Sequence, residues 1–408
     1  MKILRITSLG YESGGAETGI VLTNEVLRAR GHEVRVIASD AGPADVRRFS
    51  DVTYRACSHH SFLGKIFVRL WNPDAYRVVR REIKSFAPDV IQVHTTYEAS
   101  ASVLFATSVV PAIFTVHGAE DYTRGLLVWG FPQRFFRDQT AIPSARNLSL
   151  LGMLHYLYHA LLSVPLYRRG MWHVDRVLVM STYMLELLHR EGVEATCIPN
   201  ATKLFRPSPL PEERTTVLYV GRLEFAKGVH HLLTAFPEVR KHIPTARLVV
   251  AGTGSYEREL RTLATELGLG SAVRFVGYRT RDDLYALYKQ STLVVMPSIW
   301  PEPFGKVGVE AMSVGRPVVA TGVGGMSEWL RDGVTGYLVP PGDPHVLATS
   351  VTALLKNRTV CESMAFAAAG HATLFSIEQY TTRLEALYQE AIAEHRRQVI
   401  RTTSAAPN

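Results

Sequence analysis

The sequence predicts a chain of two α/β domains in tandem, each built around a parallel sheet. Three observations predict this. A chain of 408 residues is too long for one ordinary hydrophobic core and suggests two or three domains. Short apolar runs of strand length alternate with longer amphipathic stretches in both halves, the pattern of repeated β-α-β units. Between the halves, the stretch from Ile198 to Glu213 gathers Pro199, Pro207, Pro209 and Pro211 and reads as a linker. The expected divisions are residues 1–200, residues 201–375, and a terminal helix with a short tail over residues 376–408.

The first half opens with a strand from Lys2 to Thr7 and the loop Gly10-Tyr-Glu-Ser-Gly14-Gly15-Ala-Glu17. A helix to about Arg30 follows, and Gly31 to Ala38 returns as a second strand, which makes a parallel β-α-β unit. Asp89 to His94, Ala112 to His117 and Arg176 to Ser181 supply further strands. Gly14 and Gly15 suit a loop that approaches a ligand, and they suit an ordinary strand-to-helix turn equally well. His117 stands at the carboxyl end of a strand, where ligands bind in open α/β sheets, although a lone histidine is more often structural. Glu120 and Asp121 follow it as a pair of loop acids, a pattern that is usually just solvated.

In the second half, Val217-Leu-Tyr-Val-Gly-Arg222-Leu-Glu-Phe-Ala-Lys227-Gly228 reads as a buried strand, a glycine turn and two cations able to reach a diphosphate. A helix from about Val229 to Val239 comes next. Arg247 to Gly254 and Val273 to Gly277-Tyr278 are two more strands, each ending in a glycine turn. Glu302-Pro-Phe304-Gly305-Lys306-Val307-Gly-Val-Glu310 then sets two carboxylates eight positions apart around a helix start. Gly305 lets the backbone approach a ligand, and a helix over about Val307 to Val314 would offer free N–H groups as a diphosphate seat. Glu302 precedes that seat and Glu310 lies inside the helix, so each can accept hydrogen bonds from a different part of one elongated ligand. A surface helix with two merely solvated glutamates is the competing reading of these residues alone. A strand over Gly315-Arg-Pro-Val-Val-Ala-Thr and a second glycine turn, Gly324-Gly325, complete the run.

This succession of glycine loops, closed by a Glu-x7-Glu pair, resembles the retaining glycosyltransferases of sequence family 4. The resemblance covers nearly the whole chain and is sharpest between Val217 and Pro340. It implies the GT-B architecture: two Rossmann-like β/α/β domains facing across a cleft, with the C-terminal helix crossing back to the first domain. It implies transfer of a sugar from a nucleotide-sugar donor with retention of anomeric configuration. In that scheme Arg222 and Lys227 offset the charge of the leaving group, Glu302 holds donor-sugar hydroxyls and Glu310 holds the ribose. Backbone N–H groups near Phe304, Gly305, Lys306 and Val307 hold the phosphates, and the backbone near Gly277 and Tyr278 meets the base. Gly14 and Gly15 match the family's glycine loop and His117 its active-site histidine. One departure is that the family's Pro-Asn-Gly-Val-Asp is here Pro199-Asn200-Ala201-Thr202-Lys203, so no role is carried over to Thr202 or Lys203. No Asp-x-Asp triplet presents a divalent metal to the diphosphate, and neither metal nor cofactor is expected.

Charge patterning bears on the acceptor. Residues 47–84 hold nine Lys or Arg against Asp51, Asp74 and Glu82, so most of the formal net charge of +8 sits in one segment. Within it, Ser61 to Trp71 interleaves apolar and basic residues, as a helix on an anionic membrane surface would and as a core-facing helix with a solvated basic side would. Asn147 to Tyr167 carries no Asp, Glu, Lys or Arg, which formally makes it a membrane-span candidate. Its two histidines and Pro165 favour instead a helix buried against the sheet or lying on lipid. A glycan or lipid-linked acceptor at the membrane is the expectation, and nucleic acid is not expected because no recognised module accompanies the basic patch. Three scattered cysteines, Cys57, Cys197 and Cys361, give neither a disulfide framework nor a zinc set, and Lys2 and Arg5 interrupt any apolar leader. A cytoplasmic enzyme, peripheral on the inner membrane face, fits these features. The competing classes are a nucleotide-sugar epimerase of the same architecture and a non-catalytic nucleotide-sugar binder. A dinucleotide dehydrogenase is disfavoured because Gly252-Thr-Gly254 lacks the third glycine of that fingerprint.

Overall fold

A computed structural model describes residues 1–118, 135–136 and 144–404, so Glu120 and Asp121 lie outside the described residues. The chain divides into two compact units, Met1–Pro199 together with Ile377–Asn408, and Asn200–Ser376.

The first unit runs β1 (Lys2–Ile6), α1 (Gly15–Ala29), β2 (Glu33–Ser39), β3 (Val52–Tyr54), α2 (Phe62–Leu70), α3 (Pro73–Phe86), β4 (Val90–Val93), α4 (Ser102–Ala106) and β5 (Ala112–Thr115). After the undescribed residues come α5 (Leu150–Tyr158), a π-helical turn (His159–Ser163), α6 (Val164–Met171), β6 (Arg176–Val179), α7 (Thr182–Arg190) and β7 (Thr196–Cys197). Its seven strands form one parallel sheet in the order β3-β2-β1-β4-β5-β6-β7. Strands β4 and β5 are buried throughout, which is why they read as unbroken apolar runs rather than alternating ones. The order reverses between β1 and β4, and their carboxyl ends flank the unit's topological switch point. Local signals set the helix starts: Asn72 caps α3 by accepting from the N–H groups of Asp74 and Ala75, with Pro73 in the first turn.

The segment expected to be buried or to lie on lipid forms α5, the π turn and α6. The leucines of α5 and the π turn face outward while the small Gly152, Ala160 and Ser163 are buried, and α6 packs Val164, Tyr167 and Met171 inward. Among the described residues, no helix is long and apolar enough to cross a membrane.

The second unit runs β8 (Thr216–Val220), α8 (Val229–His242), β9 (Arg247–Ala251), α9 (Glu257–Glu266), β10 (Val273–Gly277), α10 (Arg281–Gln290), β11 (Leu293–Met296), α11 (Lys306–Ser313), β12 (Val318–Thr321), β13 (Gly336–Val339), α12 (Pro344–Lys356) and α13 (Arg358–Ala372). Its parallel sheet has the order β10-β9-β8-β11-β12-β13, so β8 and β11 flank the second switch point. The core gathers the inward faces of α8 and α12 on β8, β9 and β11, with Leu232, Phe236, Val250 and Leu354 fully enclosed. Arg316, completely buried, ties the linker to this unit: its guanidinium donates to the carbonyls of Ser208, Pro209, Tyr288, Lys289 and Gly315. Five carbonyl partners offset the desolvation of this buried cation.

The last helix, α14 (Ile377–Ser404), belongs to the first unit. Leu384, Leu387, Tyr388 and Ala391 enter the core beside Ile3, Val36, Val90 and Leu178. Arg5, fully buried in β1, fastens this packing by donating to Thr23 Oγ1 at 2.5 Å, Asn24 Oδ1 at 2.8 Å and Tyr388 Oη at 3.1 Å. Tyr388 in turn donates to Gln92 of β4.

Candidate active site

Three glycine loops lie side by side at the carboxyl ends of β8, β9 and β10, and contacts between their backbones explain the residue type. A methyl added at Gly252 would stand 1.8 Å from the Gly221 carbonyl oxygen, and one at Gly254 would stand 2.3 Å from that of Leu223. The N–H of Gly252 donates to the Gly277 carbonyl at 2.8 Å, which carries the row on to β10. Gly277 has φ of 72°, in the left-handed region that glycine alone enters freely, and the Tyr278 side chain beyond it is exposed. Arg222, in the first of these loops, also has an exposed side chain, while its carbonyl accepts from Tyr219 Oη at 2.8 Å.

The loops after β8 and β11 are fastened to each other at the switch point. The Ala226 carbonyl accepts from Ser298 Oγ at 3.1 Å and from the N–H groups of Ile299 and Trp300, each at 3.0 Å. This brings Lys227 Nζ to 2.5 Å from Glu302 Oε1, and Ser298 Oγ donates to the same oxygen at 2.9 Å. The two residues assigned to diphosphate and sugar thus form an ion pair, with only 19% and 12% of their side chains exposed. The Gly324-Gly325 turn backs the pair: the Gly325 N–H donates to the Glu302 carbonyl at 2.7 Å. A methyl on Gly324 would stand 2.2 Å from that carbonyl oxygen. Tyr219 lies behind the loops, and burial, with the Glu302 charge as a smaller cause, pushes its phenol far above its ordinary value.

Gly305, with φ of 90°, caps the start of α11, so the helix begins at Lys306, one residue earlier than the sequence suggests. Trp329 fixes that start from below. Its Nε1 donates to the Phe304 carbonyl at 2.5 Å, and its ring lies where a methyl on Gly308 would stand 2.0 Å away. Phe304 has its side chain in the core, so only its backbone is available at the site. The first turn of α11, which includes Lys306 and Val307, carries the N–H groups that point outward from a helix start, and these suit an anion. Glu310 follows on the same helix, where Thr202 Oγ1 donates to its Oε1 at 2.9 Å and Tyr288 Oη reaches its Oε2 at 3.4 Å. Arg281 stands 3.7 Å from the same carboxylate. Burial foremost, and then the Glu310 charge, pushes the Tyr288 phenol well above its ordinary value, so it remains a donor.

In the first unit, His117 follows β5, and its Nε2 lies 3.0 Å from Nδ1 of His94, which follows β4. Burial, with Arg5 and His117 adding to it, holds His94 well below its ordinary value, so its ring stays neutral. Gly14 precedes α1 in an extended conformation, and an added methyl would meet nothing nearer than Glu17 Oε2 at 3.6 Å. No close approach or backbone strain therefore requires glycine there. Gly15 opens the helix, and the buried Glu17 in its first turn accepts from Ser13 Oγ at 3.2 Å.

The model of the glycosyltransferase family 4 domain matches residues 13–204, and that of glycosyl transferases group 1 matches residues 200–371. The chain belongs to the family 4 glycosyltransferases. A phosphatidyl-myo-inositol mannosyltransferase of Mycobacterium leprae is 29% identical over 86% of this chain and 86% of its own. An uncharacterised glycosyltransferase of Methanocaldococcus jannaschii, MJ1607, is 39% identical over 36% of this chain and 37% of its own. In several such partial matches the chain spans 37% to 42% of the length of the curated relative. Among solved structures, Anabaena HepE in complex with UDP superposes with a TM-score of 0.71 at 23% identity, over 96% of this chain and 100% of that one. That likeness establishes the fold as GT-B.

Sequence reasoning missed residues that act as partners to the candidate site residues. Ser298 and Tyr288 were not singled out, and Arg281 carried no signal beyond its charge. Thr202 lies in a segment that departs from the family pattern, yet it is buried and bonded to Glu310. His94 could have been found, because it ends a strand in the same way as His117.

Proposed function

We propose that this family 4 glycosyltransferase moves a sugar from a nucleotide sugar to a hydroxyl of a glycan or lipid-linked acceptor, with retention and without a metal. The observation that carries the reading is the Lys227–Glu302 pair at the switch point, placed between a row of glycine loops and the first turn of α11. In this reading the bond between the anomeric carbon and the phosphate oxygen breaks as the acceptor oxygen bonds to the same face. The departing phosphate oxygen takes the acceptor's proton, so no carboxylate nucleophile is needed. Arg222, Lys227 and the N–H groups after Gly305 meet the charge that develops on the diphosphate. Glu302 accepts from sugar hydroxyls, Glu310 from the ribose, and the backbone at Gly277 and Tyr278 faces the base. Gly14, Gly15 and His117 are the first unit's contribution, with His117 as its catalytic residue. The UDP in the HepE complex favours a uridine donor, with a guanosine donor as the alternative. The basic segment over residues 47–84 would hold the enzyme on the inner face of an anionic membrane.

A panel of UDP- and GDP-sugars, incubated with a membrane lipid extract and followed by mass spectrometry, tests this. Nucleotide release together with a glycosylated product supports the proposal, and unchanged turnover in excess EDTA supports its independence of metal. An altered nucleotide sugar without acceptor would instead indicate an epimerase.

A further inference from the structure

We propose that α5, the π turn and α2 form one docking surface for an anionic lipid bilayer, with the leucines of α5 entering the acyl boundary. The proposal rests on the reading that the enzyme works at a membrane, and it identifies the elements that touch lipid.

Over α5 and the π turn, Leu150 to Ser163, the helix is amphipathic in the inverted sense, whereas α6 beyond it packs Val164, Tyr167 and Met171 inward in the ordinary way. Gly152, Ala160, Ser163 and Gly170 lie on the protein side, while Leu150, Leu151, Leu154, Leu157, Leu161 and Leu162 face solvent. Leu150 is 79% exposed and Leu161 is 63% exposed. A helix serving only to complete a soluble core would point its leucines the other way. The rotation is fixed by packing. A methyl on Gly152 would stand 2.3 Å from the Phe135 carbonyl oxygen, and one on Gly170 would stand 3.0 Å from Leu104 Cδ1. Turning the helix to bury its leucines would drive large side chains into those contacts.

The apolar ridge continues onto α2. Tyr158 Oη donates to the Ile66 carbonyl at 2.7 Å, which seats the two helices together, and Phe67 beside that junction is 72% exposed. Trp71 and Trp172, both exposed, suit the depth of lipid headgroups. Charge selects the occupant. From Ser144 to Val174 there is no Asp or Glu, Arg146 and Arg169 flank the ridge, and α2 carries Lys65 and Arg69. A bare apolar ridge among cations matches anionic lipid. From Leu150 to Leu162 the ridge is roughly 18 Å long at the rise of an α-helix, shorter than a bilayer core of about 30 Å, and its other side is packed on protein. It therefore lies along the surface rather than crossing it.

The test is sedimentation of the full chain at low salt with phosphatidylcholine vesicles, with and without phosphatidylglycerol. Binding is expected only with the anionic lipid and should weaken as salt rises. Leu154→Ser with Leu161→Ser should lower the partition coefficient on the order of tenfold while leaving UDP binding in calorimetry unchanged. In the unaltered protein, brominated acyl chains should quench tryptophan fluorescence, and Trp172→Phe should reduce that quenching. The proposal is overturned if the native protein ignores anionic vesicles or if the leucine variant binds them as well as the native chain does. It is equally overturned if, without lipid, the native protein is a dimer that the leucine substitutions split, since the ridge then meets a second copy. Loss of UDP binding in the native protein would count against the transferase reading and leave the lipid surface standing.

Discussion

Glu302→Gln should tighten the binding of free UDP while it abolishes most sugar transfer. Lys227 Nζ is 2.5 Å from Glu302 Oε1, and both side chains are largely shielded from solvent. At an effective dielectric constant near 20, two unit charges about 4 Å apart attract by roughly 4 kcal/mol before desolvation is counted. A diphosphate reaching Lys227 has to compete with that attraction and also approach the carboxylate. If about a third of the gross term survives solvation, neutralising Glu302 strengthens UDP binding by about 1.4 kcal/mol, or roughly tenfold in Kd. The substituted amide would keep the shape and the bond from Ser298, so the loops after β8 and β11 should stay in place. Calorimetric titration of UDP into native protein, Glu302→Gln and Lys227→Met measures the effect, and a donor-turnover assay reports the accompanying loss. If Glu302→Gln weakens UDP binding as much as Lys227→Met does, Lys227 does not meet the diphosphate and the leaving-group assignment fails.

Other outcomes follow from the same geometry. Arg222→Ala or Lys227→Ala should lower turnover by about two to three orders of magnitude, and near-normal rates in both would remove them from the mechanism. Glu310→Ala should cost about 2–3 kcal/mol of UDP affinity with a smaller change in kcat, and Thr202→Val should cost less because only one donor to the carboxylate is lost. Gly308→Ala forces a methyl to within 2.0 Å of the buried Trp329 ring and should destabilise the second unit by about 3 kcal/mol in urea titration. Burial lowers His159 and His230 to about 4, so below the unfolded value near 6.5 the unfolded chain binds more protons than the folded one. Stability is therefore expected to be full above pH 6.5 and to fall as pH drops towards 4. Each histidine should contribute about 3 kcal/mol of that loss, and replacing either with Gln should flatten the pH dependence of the urea midpoint.

The sheets were legible in the sequence because buried parallel strands leave unbroken apolar runs ending in glycine, as in Val217 to Gly221 and Arg247 to Gly252. The loop that carries Glu302 and the helix that carries Glu310 were legible because glycine and helix-forming residues mark the junction at Gly305. Pairings across the fold were not. Lys227 and Glu302 are 75 residues apart, and Thr202 and Glu310 are 108 apart, so no local periodicity connects them. Thr202 was also obscured by its own segment, where a departure from the family pattern read as a loss although it supplies a hydroxyl. The outward leucines of α5 show a different limit, because hydrophobic period identifies a helix and its stripe but not which side of the stripe the protein occupies. That choice was made by Gly152 and Gly170, whose small size admits the Phe135 carbonyl and the Leu104 side chain.

The return of α14 to the first unit sets an order on biosynthesis. The core around Ile3, Val36 and Val90 is closed by Leu384, Leu387 and Tyr388, and the buried cation of Arg5 awaits the Tyr388 hydroxyl. Those residues leave the ribosome only after the whole second unit has been made, a delay on the order of ten seconds or more. Until then the first unit presents a strip of its sheet and α1 to solvent, while the second unit, continuous in sequence from Asn200 to Ser376, can already fold. The part of the chain that is synthesised first is therefore the part completed last. Truncation before Ile377 should yield a folded second unit attached to an aggregation-prone first unit.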